Sequence, residues 1–371
     1  MKRQSLWISV VFCLFLGGFL LTSLLLPARS FSETENRTLA QWPAFSLDAF
    51  LSGAYGQAVE RCLSDQFPLR DGWMSLKTGL SFAAGMREFQ GVYLCKDTLI
   101  ARVDPPDAAQ LEQRLAYLQA LAENTDLPVY FAPIPTAAQI WQEKLPKGAA
   151  SYDESSLYRA AAAQLQNLTT VDLFTCLQAH RDEPVYYRTD HHWTTLGAYY
   201  GYTALAQAMG ITPIPLDRYT PATVSEDFRG TLYSTSGVHW LEPDTIELYV
   251  PADGIVVTSN FSGTPEPGQL YDLDYLSVKD KYALFLGGNQ PFCQIHNPAA
   301  PEGSVLIVRD SYLDAQAPFL AQHFSDLYLI DLRYYHASVA EAAAQYGVDA
   351  IVVSYGVNNF LTDGNLIYLS R

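Results

Sequence analysis

The stretch Val305-Leu306-Ile307-Val308-Arg309-Asp310-Ser311-Tyr312 fixes the fold class of this chain. Four consecutive apolar residues ending at a polar turn have the length of a strand buried on both faces. The turn carries a serine and leads into a helical segment. Two similar runs follow at 327–330 and 350–353, with helices expected between the strands at about 316–323 and 339–346. This alternation predicts an α/β fold, a parallel sheet covered by helices. Open sheets of this kind bind ligands beyond the carboxyl ends of their strands, which is where Ser311 falls.

Upstream the same rhythm holds. Leu111, Leu115, Leu118 and Leu121 recur at helical steps, and Val129-Tyr130-Phe131-Ala132 reads as a buried strand. A helix at 156–168, a short strand at 170–173 and a helix from about Thr194 to a stop at Gly210 continue it. Between 213 and about 300 the rhythm fails. That region is rich in Pro, Gly, Tyr and Thr, and strand-like pieces at 246–250, 255–258 and 282–286 predict a β-rich insertion. Nearer the start, Leu47, Phe50, Leu51, Tyr55, Val59 and Leu63 predict one helix. Pro68 breaks it, and a second helix runs from about 71 to 84. Val92-Tyr93-Leu94 and Leu99-Ile100 predict a hairpin around Lys96-Asp97.

The densest chemistry lies in Arg188-Thr189-Asp190-His191-His192-Trp193-Thr194. The chain has seven histidines, and two stand side by side here next to an acid. An Asp-x-His pair orients an imidazole and sets its tautomer, which a general base needs. Asp190, His192 and Ser311 therefore form a candidate triad. The bland reading of Asp310-Ser311 is a helix cap. His191 receives no role, and packing is the expected role of Trp193. At the end of the last strong strand, Ser354-Tyr355-Gly356-Val357-Asn358-Asn359 offers Asn358 as an oxyanion donor, against turn formation as its bland reading. Arg309 and Tyr355 complete the substrate-binding candidates. A metal-dependent hydrolase using Asp190, His191 and His192 is an alternative, since all three are ligand types. Adjacent histidines diverge, however, so no metal or other cofactor is expected.

Lys2 and Arg3 precede a run from Leu6 to Leu26 without a charged residue, close to the roughly 20 residues that span a bilayer as a helix. Cleavable signals have shorter apolar cores, of about 7–15 residues. An uncleaved anchor is expected, with residues 1–29 forming a cytoplasmic tip and membrane helix and the remainder outside. Residues 30–85 read as a juxtamembrane helical segment and 86–371 as the α/β domain carrying the insertion. A formal charge of -16 argues against nucleic acid. A weakly charged partner such as a glycan fits better. No CxxC spacing occurs, and Cys62, Cys95, Cys176 and Cys293 leave both disulfides and free thiols open.

Asp190-His191-His192-Trp193 is the signature of the DHHW family, which the chain also resembles at Glu35-Asn36-Arg37, Asp65-Gln66-Phe67-Pro68-Leu69-Arg70, Asp227-Phe228-Arg229-Gly230-Thr231-Leu232 and Arg309-Asp310-Ser311-Tyr312. That family in turn resembles the SGNH-like domains of alginate O-acetyltransferases, whose Asp-x-His-Trp motif precedes the serine. Ordinary SGNH hydrolases run serine first. The resemblance implies an SGNH-like fold in which Asp190 orients, His192 acts as base, Ser311 attacks and Asn358 replaces the SGNH asparagine. Arg309 departs from the hydrolase pattern, which has glycine there. The implied activity is acyl transfer, acetyl in particular, or ester hydrolysis, with a cell-surface glycan and an acyl donor as partners. No carbohydrate-binding module is expected after the catalytic region. A non-catalytic surface binding or assembly protein on the same scaffold is the alternative from another class.

Overall fold

The computed structural model of the protein describes residues 2–32, 34 and 37–371. Glu35 and Asn36 of the Glu-Asn-Arg triplet lie outside the described residues. The chain forms two compact units, Met1–Phe89 with Ser234–His239, and Gln90–Tyr233 with Trp240–Arg371.

In the first unit, a helix spans Lys2–Leu25, and its window Leu6–Ser23 is long and apolar enough to cross a membrane. The helix expected at 47–63 is two helices, Leu47–Leu51 and Ala54–Asp65. Gly53 separates them with a φ of 79°, a left-handed conformation that glycine adopts without steric cost. A further helix, Arg70–Ala83, follows Pro68. Two of the signature segments meet here. Arg37 forks onto the Asp65 carboxylate at 2.6 and 2.9 Å, and the Ala40 amide donates to the same group at 2.8 Å. Bidentate pairing of this kind fixes the approach of two segments as well as neutralising charge.

The second unit is built on an eight-stranded sheet. In chain order its strands are β1 (Val129–Ile134), β2 (Thr169–Thr170), β3 (Val256–Ser259), β4 (Glu266–Gly268), β5 (Phe292–His296), β6 (Ser304–Arg309), β7 (Asp326–Ile330) and β8 (Ala350–Gly356). The spatial order is β4-β3-β5-β7-β6-β8-β1-β2. β7, β6, β8, β1 and β2 pair in parallel, so the carboxyl ends of β6, β7, β8 and β1 share one edge. The two faces are legible residue by residue. Val305 and Ile307 join one apolar cluster with Leu177, Tyr202 and Phe319, whereas Leu306 and Val308 join another with Leu118, Ala342 and Phe360. Helices thus cover both faces, as a sheet of buried parallel strands requires.

The β-rich insertion expected at about 213–300 is built into the central sheet: β3, β4 and β5 extend it by antiparallel pairing, with β5 directly on β7. Only Ala222–Phe228 and Asp244–Leu248 form a two-stranded sheet of their own. The expected strand at 282–286 is a 3₁₀ turn, Lys281–Leu284. The expected strand at 170–173 stops at Thr170, because Asp172 accepts the Thr175 amide and caps the helix Leu173–Ala179. All five cysteines are free, with Cys62, Cys95 and Cys293 buried.

At the end of β1 the buried Glu154 carboxylate accepts the Thr136 amide at 2.9 Å and the Thr136 hydroxyl. Burial pushes its pKa up from 4.5 to about 7, against those hydrogen bonds. A raised folded-state value means that the stabilising proton is fully held below 4.5 and lost as pH rises through about 7. Wild type should therefore lose stability relative to Glu154→Gln across that window, by at most about 3 kcal/mol. Urea midpoints of both proteins at about pH 5 and about pH 8 check this.

Candidate active site

Asp190, His191 and His192 sit in the loop before the helix Thr195–Ala208, and Trp193 anchors that loop. The Trp193 indole is fully buried, and its Nε1 donates to the Tyr312 carbonyl at 2.8 Å. A Cβ on Gly201 would come within 2.7 Å of the indole ring, and one on Gly197 within 2.1 Å of the Val185 carbonyl oxygen, so Gly201 makes room for the indole and Gly197 for the backbone beside it. At the start of the loop, the buried Asp244 carboxylate accepts the Arg188 amide at 2.9 Å, the Thr189 amide at 2.8 Å and the Thr189 hydroxyl at 2.6 Å. The loop is thus held from both sides before any chemistry is considered.

Within it, His192 Nδ1 lies 2.6 Å from Asp190 Oδ1, and His192 Nε2 lies 2.8 Å from Ser311 Oγ. The structure therefore brings together the three residues of the predicted triad, from positions 119 residues apart. Asp190 Oδ1 also accepts the His192 amide at 2.9 Å, while Oδ2 accepts the Thr231 amide at 2.7 Å and its hydroxyl at 3.0 Å. Burial favours protonating Asp190, but the two imidazoles and these hydrogen bonds outweigh it and hold the carboxyl well below the usual carboxylate range. An acceptor at Asp190 Oδ1 places the His192 proton on Nδ1 and leaves Nε2 free to accept from the serine hydroxyl. Tyr282 stacks on the His192 ring, with centroids 3.8 Å apart and planes 8° apart, and donates from its hydroxyl to the Ser311 carbonyl at 3.3 Å.

His191 turns its Nδ1 to the Thr231 hydroxyl at 2.7 Å. Burial, then the neighbouring His192, lowers its pKa to about 4, so it is neutral at neutral pH. The ligand-type atoms of Asp190, His191 and His192 lie within 4.8 Å of one another. Both Asp190 oxygens and His192 Nδ1 are nevertheless committed to the hydrogen bonds above, which a cation would have to displace.

Around Ser311 the structure redistributes the remaining candidates. Asp310 caps the 3₁₀ turn Ser311–Ala315 through the Tyr312 amide at 3.1 Å, and its other oxygen accepts the Gly356 amide and Asn359 Nδ2, both at 2.8 Å. The asparagine that turns toward the serine loop is Asn359. Asn358 is exposed on the first turn of the helix Val357–Thr362, which corrects the expectation for that position. Arg309 is fully buried behind the turn, 3.0 Å from Asp314 and 3.2 Å from Asn289 Oδ1, and serves the interior rather than a ligand. Tyr355 is buried in β8 and lines a cavity of about 260 Å³ with Asp310, Arg333, Asn359 and Asp363. Sequence reasoning gave no role to Gly230, Thr231, Tyr282 or Asn359. The segment Asp227–Leu232 carried a signal as a family motif, but nothing in the sequence pointed to Tyr282.

A mostly parallel sheet with helices on both faces and a serine, histidine and aspartate gathered at its carboxyl edge defines an SGNH-like α/β domain. The DHHW protein family matches the chain at residues 35–125 and 118–330, and the chain belongs to that family. A crystal structure of a DHHW family protein from Eubacterium siraeum superposes with a TM-score of 0.65 at 23% identity, covering 76% of this chain and 95% of that one. Bacillus cereus PatB1, solved with a sulfonyl adduct, superposes with a TM-score of 0.64 at 20% identity, covering 76% and 98%. The probable alginate O-acetylase AlgJ of Pseudomonas syringae is 26% identical over 211 residues, 53% of this chain and 54% of AlgJ. AlgJ of Pseudomonas aeruginosa is 26% identical over 190 residues, 46% and 48% respectively. The chain thus spans about half the length of the curated relatives it matches.

A Cβ at Gly230 would fall 2.2 Å from Asp190 Oδ2. Gly230→Ala should therefore displace the Asp190 carboxylate and destabilise the fold by about 1–3 kcal/mol, the usual range for overpacking. Thermal unfolding of the variant, with the resonance of the His192 Nδ1 proton that faces Asp190 followed by NMR, checks both effects.

Proposed function

We propose that this protein is a membrane-anchored, extracytoplasmic O-acyltransferase, acetyl in particular, acting on a cell-surface glycan through Ser311, His192 and Asp190. The observation that carries the reading is the continuous contact from Asp190 Oδ1 through the His192 ring to Ser311 Oγ, at 2.6 and 2.8 Å. The AlgJ relatives support the reaction class by their name, and Leu6–Ser23 supports the anchor. The positive flank at Lys2 and Arg3 supports an extracytoplasmic domain.

In this mechanism Ser311 Oγ attacks the acyl carbonyl of a donor ester while His192 Nε2 takes the hydroxyl proton. Asp190 stays ionised and stabilises the imidazolium. The tetrahedral intermediate then collapses, and His192 returns the proton to the departing alkoxide, leaving an acyl-serine. A sugar hydroxyl next gives its proton to His192 and attacks the acyl carbon; the bond from that carbon to Ser311 Oγ breaks and His192 returns the proton to the serine, so the ester moves to the glycan. Water in place of the sugar makes the same residues an esterase. For the developing oxyanion we assign the Ser311 amide and Asn359 Nδ2, the latter standing where Asn358 was expected. Tyr355 and its cavity are assigned to substrate, and Arg309 is assigned no contact with it.

Wild type should be labelled covalently by a fluorophosphonate, and Ser311→Ala should not. The variant should also lose at least about a thousandfold in acyl transfer, the scale of losing a nucleophile. The acetyl ester content of the cell-surface glycan, compared between cells carrying wild type and Ser311→Ala, separates transfer from hydrolysis. A higher ester content with wild type means transfer and a lower one means hydrolysis. An unlabelled wild type with unchanged ester content overturns the reading in favour of a non-catalytic binding protein.

A further inference from the structure

The helix Arg70–Ala83 is inverted relative to a helix of a water-soluble unit. Its packed side is polar: Ser75 Oγ lies 2.8 Å from His239 Nδ1, and Thr78 is buried with its hydroxyl donating to the Ser236 carbonyl at 3.4 Å. A Cβ on Gly237 would come 2.8 Å from Thr78 Oγ1, so the approach is close. Its outward side is apolar. Trp73, Leu76 and Leu80 recur at helical steps with Leu69 immediately before them, and all four are exposed, Leu69 by 73% and Leu80 by 63%. A helix in water turns its apolar stripe inward, and an exposed stripe of this size marks a partner or a lipid surface.

The stripe runs into the apolar helix Lys2–Leu25. Phe19 stacks on Phe67 at 5.3 Å and meets Trp73 at 6.0 Å between ring centroids. Trp42 and Phe45, in the chain between the two helices, are exposed by 64% each. Tryptophan and tyrosine concentrate where a bilayer meets water, because an amphipathic ring satisfies both sides. We propose that the outward face of Arg70–Ala83, together with Trp42 and Phe45, lies in the lipid interface of the leaflet that receives the outer end of Leu6–Ser23. The inference rests on the reading of Leu6–Ser23 as an anchor and adds a second attachment to it. The apolar side chains sit about 5–10 Å into the boundary between headgroups and acyl chains, as interfacial helices do. With a net charge of -16, the contact is to apolar lipid rather than to anionic headgroups.

The test uses the full chain reconstituted in phosphatidylcholine vesicles, with and without bromine on the acyl chains, which quenches nearby tryptophan fluorescence. Trp7 reports the anchor, Trp73 the proposed face and the buried Trp141 the core of the larger unit. Trp73→Phe should remove a component of the bromine-quenched emission, as Trp7→Phe does, whereas Trp141→Phe should remove only unquenched emission. Leu69→Glu with Leu80→Glu should reduce the quenching of Trp73 and leave the Trp141 emission in place, which shows that the larger unit is still folded. If Trp7 is quenched and Trp73 is not, the proposal falls and the anchor stands. A red-shifted Trp73 then means exposure to water, and a blue-shifted one means cover by protein, a second copy included. If neither is quenched, the anchor reading falls as well.

Discussion

A buried carboxylate organises the site. Asp190 is 2% exposed, and an ionised carboxyl without water is tolerated only where hydrogen bonds replace its solvation. Four donors converge on it, from the His192 amide and ring, the Thr231 amide and the Thr231 hydroxyl. Meeting that demand draws the segment ending at Thr231 against the Asp-His-His loop, and it leaves room for no side chain at Gly230. The orientation of His192 is a consequence: its Nδ1 is claimed by Asp190, so Nε2 points to Ser311.

The serine side is built on a similar principle. Asp310 stands at the end of β6, buried, and binds the amides of Tyr312 and Gly356 and the side chain of Asn359. Burial raises its pKa, and Asn359 with the two amides acts the other way. Behind it, Arg309 and Asp314 pair in the interior, with burial pushing Asp314 up to about 8. Such a pair adds little net stability over apolar packing, but removing one partner would leave an uncompensated charge, so the turn that presents Ser311 is rigidly specified. Tyr282 and Trp193 close the assembly by tying the histidine loop to the Ser311 and Tyr312 carbonyls.

Local pattern carried most of the α/β framework. The apolar runs at 305–308, 327–330 and 350–353 had no other way to bury both faces, and the helix at 339–346 matched its observed span, Val339–Tyr346, to the residue. The triad members were named from chemistry and spacing alone. The choice between Asn358 and Asn359 could not be made that way, because neighbouring residues on a helix point about 100° apart and the sequence does not show which faces the serine loop. Arg309, a substrate-binding candidate by its place beside Ser311, is fully buried instead. The acids that pair with it in the interior are Asp314, five residues away, and, at 4.0 Å, Asp331, which follows the carboxyl end of the neighbouring parallel strand β7.

The sequence by itself determined the apolar N-terminal helix, the parallel strands and the presence of a serine, a histidine and an aspartate as candidate reacting groups. Each of these is a local property, set by runs of apolar residues or by the chemistry of single side chains. Only the tertiary structure decided that β3, β4 and β5 join the main sheet, that Thr231 holds Asp190, that Tyr282 stacks on His192 and that the polar side of Arg70–Ala83 is its packed one. Those outcomes are pairings between distant segments, and their free energy depends on which surfaces meet rather than on any residue's neighbours in the chain.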